Sequence, residues 1–241
     1  LLALMNKGST AIQNIQTMKF CEELSFGGGS NLIIGFPGSG DAEVVETLHA
    51  LDFVQIYRPL RIVRFWLGLE SPVHRWPRSH GLRAVFNHPW FALLLPEEVF
   101  REARLMVQSY RGDRTIQRKL WRPVVERVKS WQRDYKAMKE RSEGKPLLAY
   151  RDGKSFLLIH QFRPRQASVH HRLTGASRAV YLFCRVHRSL DEIAERFPKV
   201  SRDTLLSFLE EMVQKRLMYR EGDRFLSLAV AMSGLAGETV F

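Results

Sequence analysis

Cysteine is scarce in this sequence, because Cys21 and Cys184 are its only two thiols. They lie far apart in apolar, helical surroundings, which argues against a disulfide framework and favours two buried structural thiols. A four-iron cluster needs at least three thiolates, and a structural zinc site usually needs four good ligands. We therefore expect no metal ligands in these residues.

Long apolar runs are also missing. No uninterrupted run is long enough to cross a bilayer, and the apolar first residues lack the charged leader and cleavage site of a signal peptide. We expect a cytoplasmic protein without a membrane partner. The sequence opens on Leu1 and runs at once into a helical pattern, and we interpret it as truncated at its amino end.

Acidic residues are in the minority. Lys and Arg number 37 against 25 Asp and Glu, which gives a formal net charge of +12. Such an excess favours acidic partners such as nucleic acid, anionic lipid or an acidic peptide. The basic residues are spread over 58–83, 111–129 and 163–188, so solvated basic faces explain them at least as well as a nucleic-acid footprint.

Helical and strand patterns alternate in the first part of the sequence. Ser9 or Thr10 can cap a helix, the apolar run 31–36 fits a buried parallel strand, and the run 61–67 fits a second strand. Such alternation with short connections is typical of parallel βα units and predicts an α/β sheet. Asp41 caps the helix between the strands, whose inward face is predicted at Val44, Val45, Leu48 and Leu51.

The middle of the sequence is less regular. Residues 76–90 are rich in proline, glycine and aromatic residues and predict a loop over a site, with Asn87, His88 and Trp90 available to it. We expect a helix over 96–110, then an amphipathic stretch over 115–139 that Pro123 splits or kinks. Residues 142–146 form the best linker.

A different pattern follows the linker. Asp152-Gly153 predicts a hairpin between strands 147–150 and 155–162, with a third strand at 169–173. Ser189 and Glu192 form a capping box at the start of one of three predicted helices. The helices are expected over 176–186, 190–197 and 202–216, and two short strands over 218–220 and 224–228. This order predicts a small winged-helix-like unit, so we expect domains at 1–141 and 146–230 and a flexible tail at 231–241.

The segment from Asn31 to Asp41 runs from a strand through a glycine-rich turn into a helix. Glycines permit close backbone approach and a helix start offers free N–H donors, which suits the adenine and ribose of a nucleotide-like cofactor. On the pattern alone we favour a purely structural role, because Gly-Phe-Pro-Gly is an ordinary way to turn a strand into a helix. It lacks the lysine and hydroxyl of a phosphate loop.

Several segments in this order resemble a known family. Residues 5–16, 31–38, 64–73, 110–114 and 226–228 are similar to the later half of radical S-adenosylmethionine enzymes, and more narrowly to the cobalamin-binding radical C-methyltransferases that mature ribosomal peptides. The resemblance implies an α/β fold, with the C-terminal half of a partial TIM-like barrel before the small α+β winged-helix-like domain. It also implies the cofactors S-adenosylmethionine, a [4Fe-4S] cluster and cobalamin for the complete enzyme.

The resemblance implies cofactor contacts at the end of the first strand and of the next strand. Asn31 stands where the family usually has glycine. For Trp66 and Trp90 we favour packing in a core over a cofactor contact, and Arg64 could simply pair with a helix carboxylate. The family's three-cysteine motif and cobalamin domain are not in these residues, so we expect no activity from this chain alone and identify no catalytic residue. The implied S-adenosylmethionine contacts are Asn31, Ile33, Gly35, Pro37, Gly38, Arg64 and Trp66.

The predicted winged-helix-like unit resembles the precursor-peptide recognition element of peptide-modifying enzymes, in which a leader peptide adds a strand to a sheet edge. The alternative is a non-enzymatic winged-helix binding module, which could be a peptide-recognition protein or a regulator that inserts 202–216 into DNA. Asp203, Glu210 and Glu211 make that helix a poor surface for phosphates. We favour the peptide. Adjacent residues on a strand point to opposite faces, so His170 and His171 do not predict a metal site. The implied peptide contacts are Val169, His171, Leu205, Phe208 and Met212.

Overall fold

The computed structural model describes residues 1–27, 29–164 and 166–232, which form a mixed α/β structure with small sheets, none of which closes into a barrel in these residues. The first elements are α1 (Ala11–Glu23), β1 (Asn31–Ile34), α2 (Asp41–Val54) and β2 (Arg61–Arg64). β1 and β2 are hydrogen-bonded to each other in parallel, and α2 connects them along the chain. The predicted alternation of strands and helices is therefore confirmed. Val45 was wrongly predicted to face inward, since it is 65% exposed.

A small antiparallel sheet follows, and two predictions fail in it. The predicted loop over 76–90 contains a strand, and the predicted helix over 96–110 ends at Glu102. The strand over 107–111 is the central strand of this sheet and pairs on both sides. Its partners therefore fix its conformation, although its local pattern is compatible with a helix. The elements are β3 (Leu67–Gly68), α3 (Pro72–Arg75), β4 (Ala84–Asn87), α4 (Glu97–Glu102) and β5 (Val107–Arg111), in the sheet order β3-β5-β4.

The stretch predicted over 115–139 is split beside Pro123, as predicted, into two consecutive helices, α5 (Arg114–Leu120) and α6 (Arg122–Arg141). The break falls at Trp121, so Pro123 lies in the first turn of α6, where its missing N–H costs nothing. Beyond α6 the predicted linker is a structured turn, because the buried Ser142 hydroxyl donates to the carbonyl oxygen of Lys145 at 2.9 Å or of Lys139 at 3.2 Å.

A meander of three antiparallel strands and a series of helices complete the chain. The hairpin and the third strand are confirmed as β6 (Leu148–Asp152), β7 (Phe156–Gln161) and β8 (Val169–Thr174). The remaining elements are α7 (Gly175–Phe183), β9 (Arg188–Ser189), α8 (Leu190–Arg196), α9 (Arg202–Gln214), β10 (Met218–Glu221), β11 (Arg224–Ser227) and β12 (Val230–Ala231).

The end of the described chain returns to the meander. β12 pairs in parallel with β6 and gives the sheet order β12-β6-β7-β8, while β9, β10 and β11 form a separate sheet. The tail predicted at 231–241 therefore starts too early, because Ala231 lies in a strand and the Met232 N–H donates to the Tyr150 carbonyl at 2.9 Å. Residues 233–241 of that prediction lie outside the described residues.

One cluster of buried apolar side chains spans the predicted domain boundary. It joins Ile12 and Trp131 from the first part of the chain to Tyr150, Tyr219 and Val230 from the second. Residues 142–146 thus separate two segments of chain but not two hydrophobic cores. Among the described helices, none combines the length and apolar character that crossing a bilayer requires.

Candidate functional site

The turn after β1 contains two glycines with left-handed backbone conformations. Gly35 has a φ of 69° and Gly38 a φ of 80°. A Cβ built on Gly38 would meet nothing within 4 Å, and one on Gly35 would lie 3.8 Å from the Cβ of Gln117. The backbone conformation, and not a lack of space, therefore requires glycine at both positions. The open side at Gly38 allows a ligand to approach the backbone closely.

A buried polar network beneath this turn connects it to α5. Gln117 donates through Nε2 to the Ser39 carbonyl at 2.8 Å and to Asp113 Oδ2 at 2.7 Å. The indole of Trp121 donates to Ser39 Oγ at 3.0 Å, and the Gly38 N–H donates to Asp113 Oδ2 at 3.2 Å. Asp113 Oδ1 is buried without a hydrogen-bond partner among the described residues. The network fixes the turn and leaves one carboxylate oxygen beside it unsatisfied.

Sequence reasoning did not find this network. Asp113, Gln117 and Trp121 recur at a spacing of four, which places polar and aromatic side chains on one face of a helix. That spacing is the only local signal, and nothing local connects it to Ser39.

Aromatic rings lie beside the turn. The buried ring of Phe36 contacts Phe65 edge to face at a centroid distance of 5.0 Å, and His80 at 5.9 Å. Phe65 in turn lies 6.1 Å from Tyr110, over which the Arg114 guanidinium sits at 4.2 Å. Burial raises the pKa of Tyr110, and Arg114 opposes that shift. The turn therefore has an apolar, aromatic side and a polar side.

The implied cofactor residues are not all at this turn. Ile34 pairs with Arg64, and the Phe65 N–H donates to the Ile34 carbonyl at 2.8 Å. Gly35 and Arg64 therefore lie at the same end of the parallel strand pair, the carboxyl end. Asn31 lies at the other end of β1, opposite Arg61, about 13 Å along the strand from Gly35 at the usual rise per residue. Asn31 therefore does not share a site with the turn.

The structure does not show the purely structural roles that were considered for Trp66, Trp90 and Arg64. Trp66 is 58% exposed and Trp90 is 73% exposed, so core packing was the wrong interpretation for both. Arg64 is exposed and makes no ion pair with a carboxylate of the described residues. Pro37 lies between the two glycines, and Ile33 is half-buried on β1. Exposure leaves Arg64 and Trp66 available to a ligand or a partner surface.

Two of the implied cofactors differ in how well the described residues fit them. An open turn with left-handed glycines, an aromatic neighbour and a helix start fits the adenosyl part of S-adenosylmethionine. A [4Fe-4S] cluster does not fit the described residues, because they bring no three His, Cys, Asp or Glu side chains together as ligands. Cys184 is fully buried, burial raises its pKa to about 12, and both cysteines are free thiols.

Comparison with protein-family models, curated proteins and solved structures gives no match.

The edge strand β8 is the second candidate region. It pairs with β7 on one side, and no strand of the described residues pairs with its other side. His171 Nε2 lies 3.1 Å from Gln161 Oε1, and Gln161 Nε2 donates to the Lys215 carbonyl at 3.2 Å. The end of α9 therefore lies beside the half-buried Val169 and His171, and a free strand edge is available there.

Three predicted peptide contacts on α9 need correction or restriction. Leu205 and Met212 are each only 2% exposed and belong to the main apolar cluster, so they cannot touch a peptide without a rearrangement of the core. Phe208 is partly buried against that cluster. The apolar stripe of α9 is thus used to cover the core, which leaves β8 itself as the accessible part of the predicted peptide site.

The two adjacent histidines of β8 point to opposite faces, as predicted. His170 stacks on His160 at a centroid distance of 4.4 Å, whereas His171 contacts Gln161. Burial lowers the pKa of His171, and the nearby charges of Lys215 and Arg163 lower it further. The charges that reach this strand are therefore positive.

A separate cavity of about 380 Å³ lies at the amino ends of the parallel strands, next to Ser30 and Pro59. It contains the ion pair between Lys139 and Glu22, with an N···O distance of 2.8 Å. None of the implied site residues lines it.

Proposed function

We propose that this chain is the C-terminal part of a peptide-modifying radical S-adenosylmethionine enzyme, in which the turn from Gly35 to Gly38 holds the adenosyl group and β8 holds the precursor peptide. In this proposal β1, α2 and β2 are units of a partial barrel, and α7 to β11 form a winged-helix-like recognition domain. The observation that carries this proposal is that two features occur in one chain. A parallel βα unit has an open glycine turn at the end of its first strand, and a sheet with a free edge lies directly before the helical domain.

The first support is the position of the turn. In parallel α/β sheets ligands bind outside the carboxyl ends of the strands, and Gly35 and Arg64 lie at that end of β1 and β2. Left-handed glycines let the backbone approach an adenine, and the half-buried Phe65, which packs on the buried Phe36, supplies an apolar neighbour. These residues bind and orient; the bound S-adenosylmethionine would supply the adenosyl radical that abstracts a hydrogen atom.

The second support is a set of exposed apolar side chains that follow β2 in the chain. Trp66, Trp76, Trp90, Leu93 and Leu94 are all exposed, which is unusual for so many large apolar side chains in one segment. Such side chains would be covered if further units of a barrel packed against this part of the chain. The cluster ligands, the cobalamin site and the methyl transfer would belong to those units, and this chain alone would be inactive.

The alternative, a DNA-binding regulator, has less support. Basic side chains on and beside α9 are taken up by acids: Lys215 by Glu211, and Arg220 by Glu210 at 3.0 Å. A helix whose cations are neutralised in this way offers little to phosphates. A salt-sensitive shift of duplex DNA by the full chain would nevertheless favour this alternative over the peptide.

Two experiments test the proposed function. Reading the gene upstream of the Leu1 codon should reveal a three-cysteine cluster motif and a cobalamin domain, and the absence of both would overturn the enzyme proposal. Separately, hydrogen exchange of the full chain with a short peptide encoded beside the gene should show slowed exchange at β8. Unchanged exchange at β8 with peptide bound elsewhere would overturn the peptide-holding part alone.

Binding of S-adenosylmethionine can be measured by equilibrium dialysis of the full chain. Gly35→Val should abolish binding, because valine does not adopt the left-handed conformation of that turn. Gly68→Val is the matched control, since Gly68 has no left-handed φ and nothing lies within 4 Å of a Cβ built there. Equal binding by both variants would place the nucleotide elsewhere.

A further inference from the structure

We propose that the free edge of β8 accepts an extended acidic peptide, in which acidic side chains alternate with apolar ones. This inference rests on the proposed peptide-holding function and adds to it the charge and the pattern of the peptide.

The first observation is an acid-free segment. No Asp or Glu occurs between Asp152 and Asp191, a segment that contains all of β7, β8 and α7. Asp152 itself is occupied, because Arg178 donates to both of its oxygens at 2.7 and 2.5 Å. A peptide at β8 therefore meets no carboxylate of this segment that is free to repel it.

The second observation is the arrangement of cations on the outer face of the sheet. The register places Arg151 and Arg172 on either side of Leu158, so the two guanidinium groups share one face. Both arginines are exposed, and neither forms an ion pair with a carboxylate of the described residues. Arg172 lies over the ring of Phe156 at 5.2 Å. His170 is exposed on the same face of β8, so at the free edge this face presents the cation Arg172, while Arg151 lies on β6, on the far side of β7.

The third observation is that the opposite face is apolar at both ends of β8, with His171 between them. Val169, His171 and Leu173 alternate with His170 and Arg172 along the strand; Leu173 is buried, and His171 Nε2 lies 3.1 Å from Gln161 Oε1. Side chains of an added strand would alternate in the same way, because successive residues of a strand point to opposite faces. Every second side chain would lie beside His170 and Arg172, where Arg172 favours an acid across the strands, and the others would lie beside Val169, His171 and Leu173.

The test uses the full chain and three fluorescein-labelled octapeptides, with binding followed by fluorescence anisotropy. The first alternates Glu with Val, the second alternates Gln with Val, and the third has the same Glu and Val residues in two blocks. We expect the alternating Glu peptide to bind about tenfold more tightly than either other peptide, as several opposite-charge cross-strand pairs together would give. The double variant Arg151→Gln/Arg172→Gln should remove most of that advantage.

The matched control removes the same charge elsewhere. Arg118→Gln/Arg133→Gln changes two exposed arginines on α5 and α6 and should leave the preference for the Glu peptide intact. Equal affinity for the Glu and Gln peptides would overturn the charge inference and leave peptide holding standing. Equal affinity for the alternating and block peptides would overturn strand addition, and binding of none of the three would overturn the whole inference. Peptide holding is decided separately by the hydrogen-exchange experiment.

Discussion

The carboxylate of Glu221 accepts the backbone N–H of Ile12 at 3.0 Å, although the two residues lie 209 positions apart. Its other oxygen accepts the N–H of Ala11 at 3.1 Å. The first turn of α1 contains no acidic residue, so β10 supplies the negative charge that favours a helix start. Together with Gln16, which accepts the His187 N–H at 2.7 Å, this contact joins α1 to the last third of the chain.

Replacement of Glu221 tests the strength of this connection. Glu221→Ala should lower the free energy of unfolding by about 1 to 2 kcal/mol, because two N–H groups at the start of α1 lose their acceptor. Urea denaturation followed by circular dichroism measures the change. Glu210→Ala is the control: it breaks an exposed ion pair with Arg220 and should cost less than about 0.5 kcal/mol. Equal losses in the two variants would show that the long-range contact adds no stability.

The burial of Lys19 leads to the prediction that the stability of the protein rises with pH. Its side chain is fully buried, its ammonium group donates to the Arg185 carbonyl at 2.8 Å, and burial lowers its pKa from 10.5 to about 7. Between these two pH values the unfolded chain binds a proton that the folded chain has released. The free energy of unfolding should therefore increase as pH rises from 7 towards 10, by up to about 1.4 kcal/mol per pH unit.

The measurement is a series of urea titrations between pH 7 and pH 9.5. Lys19→Met should flatten the rise, whereas the exposed control Lys136→Met should keep it. Differences between the variants cancel the titration of the remaining groups, including buried tyrosines such as Tyr57, whose pKa burial raises. The same slope in the Lys19→Met protein and the original protein would contradict the assignment to Lys19.

Elements fixed by neighbouring residues were predictable from the sequence. The capping box is present in full, because the Ser189 N–H donates to Glu192 Oε2 at 2.7 Å and the Glu192 N–H donates to Ser189 Oγ at 3.2 Å. The parallel pair β1 and β2, the hairpin of β6 and β7 and the glycine turn follow in the same way from short patterns. Each depends on contacts within a few residues or within one βα unit, which spacing and turn residues encode.

Features fixed by distant residues were not predictable. β5 has a local pattern compatible with a helix, yet its pairing with β3 and β4 on both sides makes it a strand. Trp66 and Trp90 are aromatic residues that favour burial, and no local signal indicates that the fold leaves them exposed. The contact between Glu221 and Ile12 and the network around Ser39 depend on segments that only the folded chain brings together.

The two left-handed glycines make a prediction about the turn after β1. Gly35→Ala and Gly38→Ala should each lower the free energy of unfolding by about 1 to 2 kcal/mol, because a Cβ disfavours the left-handed conformation. Gly68→Ala should change it by less than about 0.5 kcal/mol, since neither its φ nor its surroundings oppose a methyl group. Thermal or urea denaturation distinguishes the two cases, and a similar cost at all three positions would argue against strain in the turn.

The network beneath the turn should act as a unit. Gln117→Leu removes the donor to the Ser39 carbonyl and to Asp113, which leaves buried acceptors unsatisfied and should cost about 2 to 3 kcal/mol of unfolding free energy. Ser39→Ala removes the hydroxyl that accepts from the Trp121 indole and should cost about 1 kcal/mol. Because the two side chains share partners, the double variant should cost at least about 0.5 kcal/mol less than the sum of the single variants.

Gln132→Leu on the exposed side of α6 is the control and should be nearly neutral. Simple additivity in this double-mutant cycle would mean that the hydrogen bonds act independently.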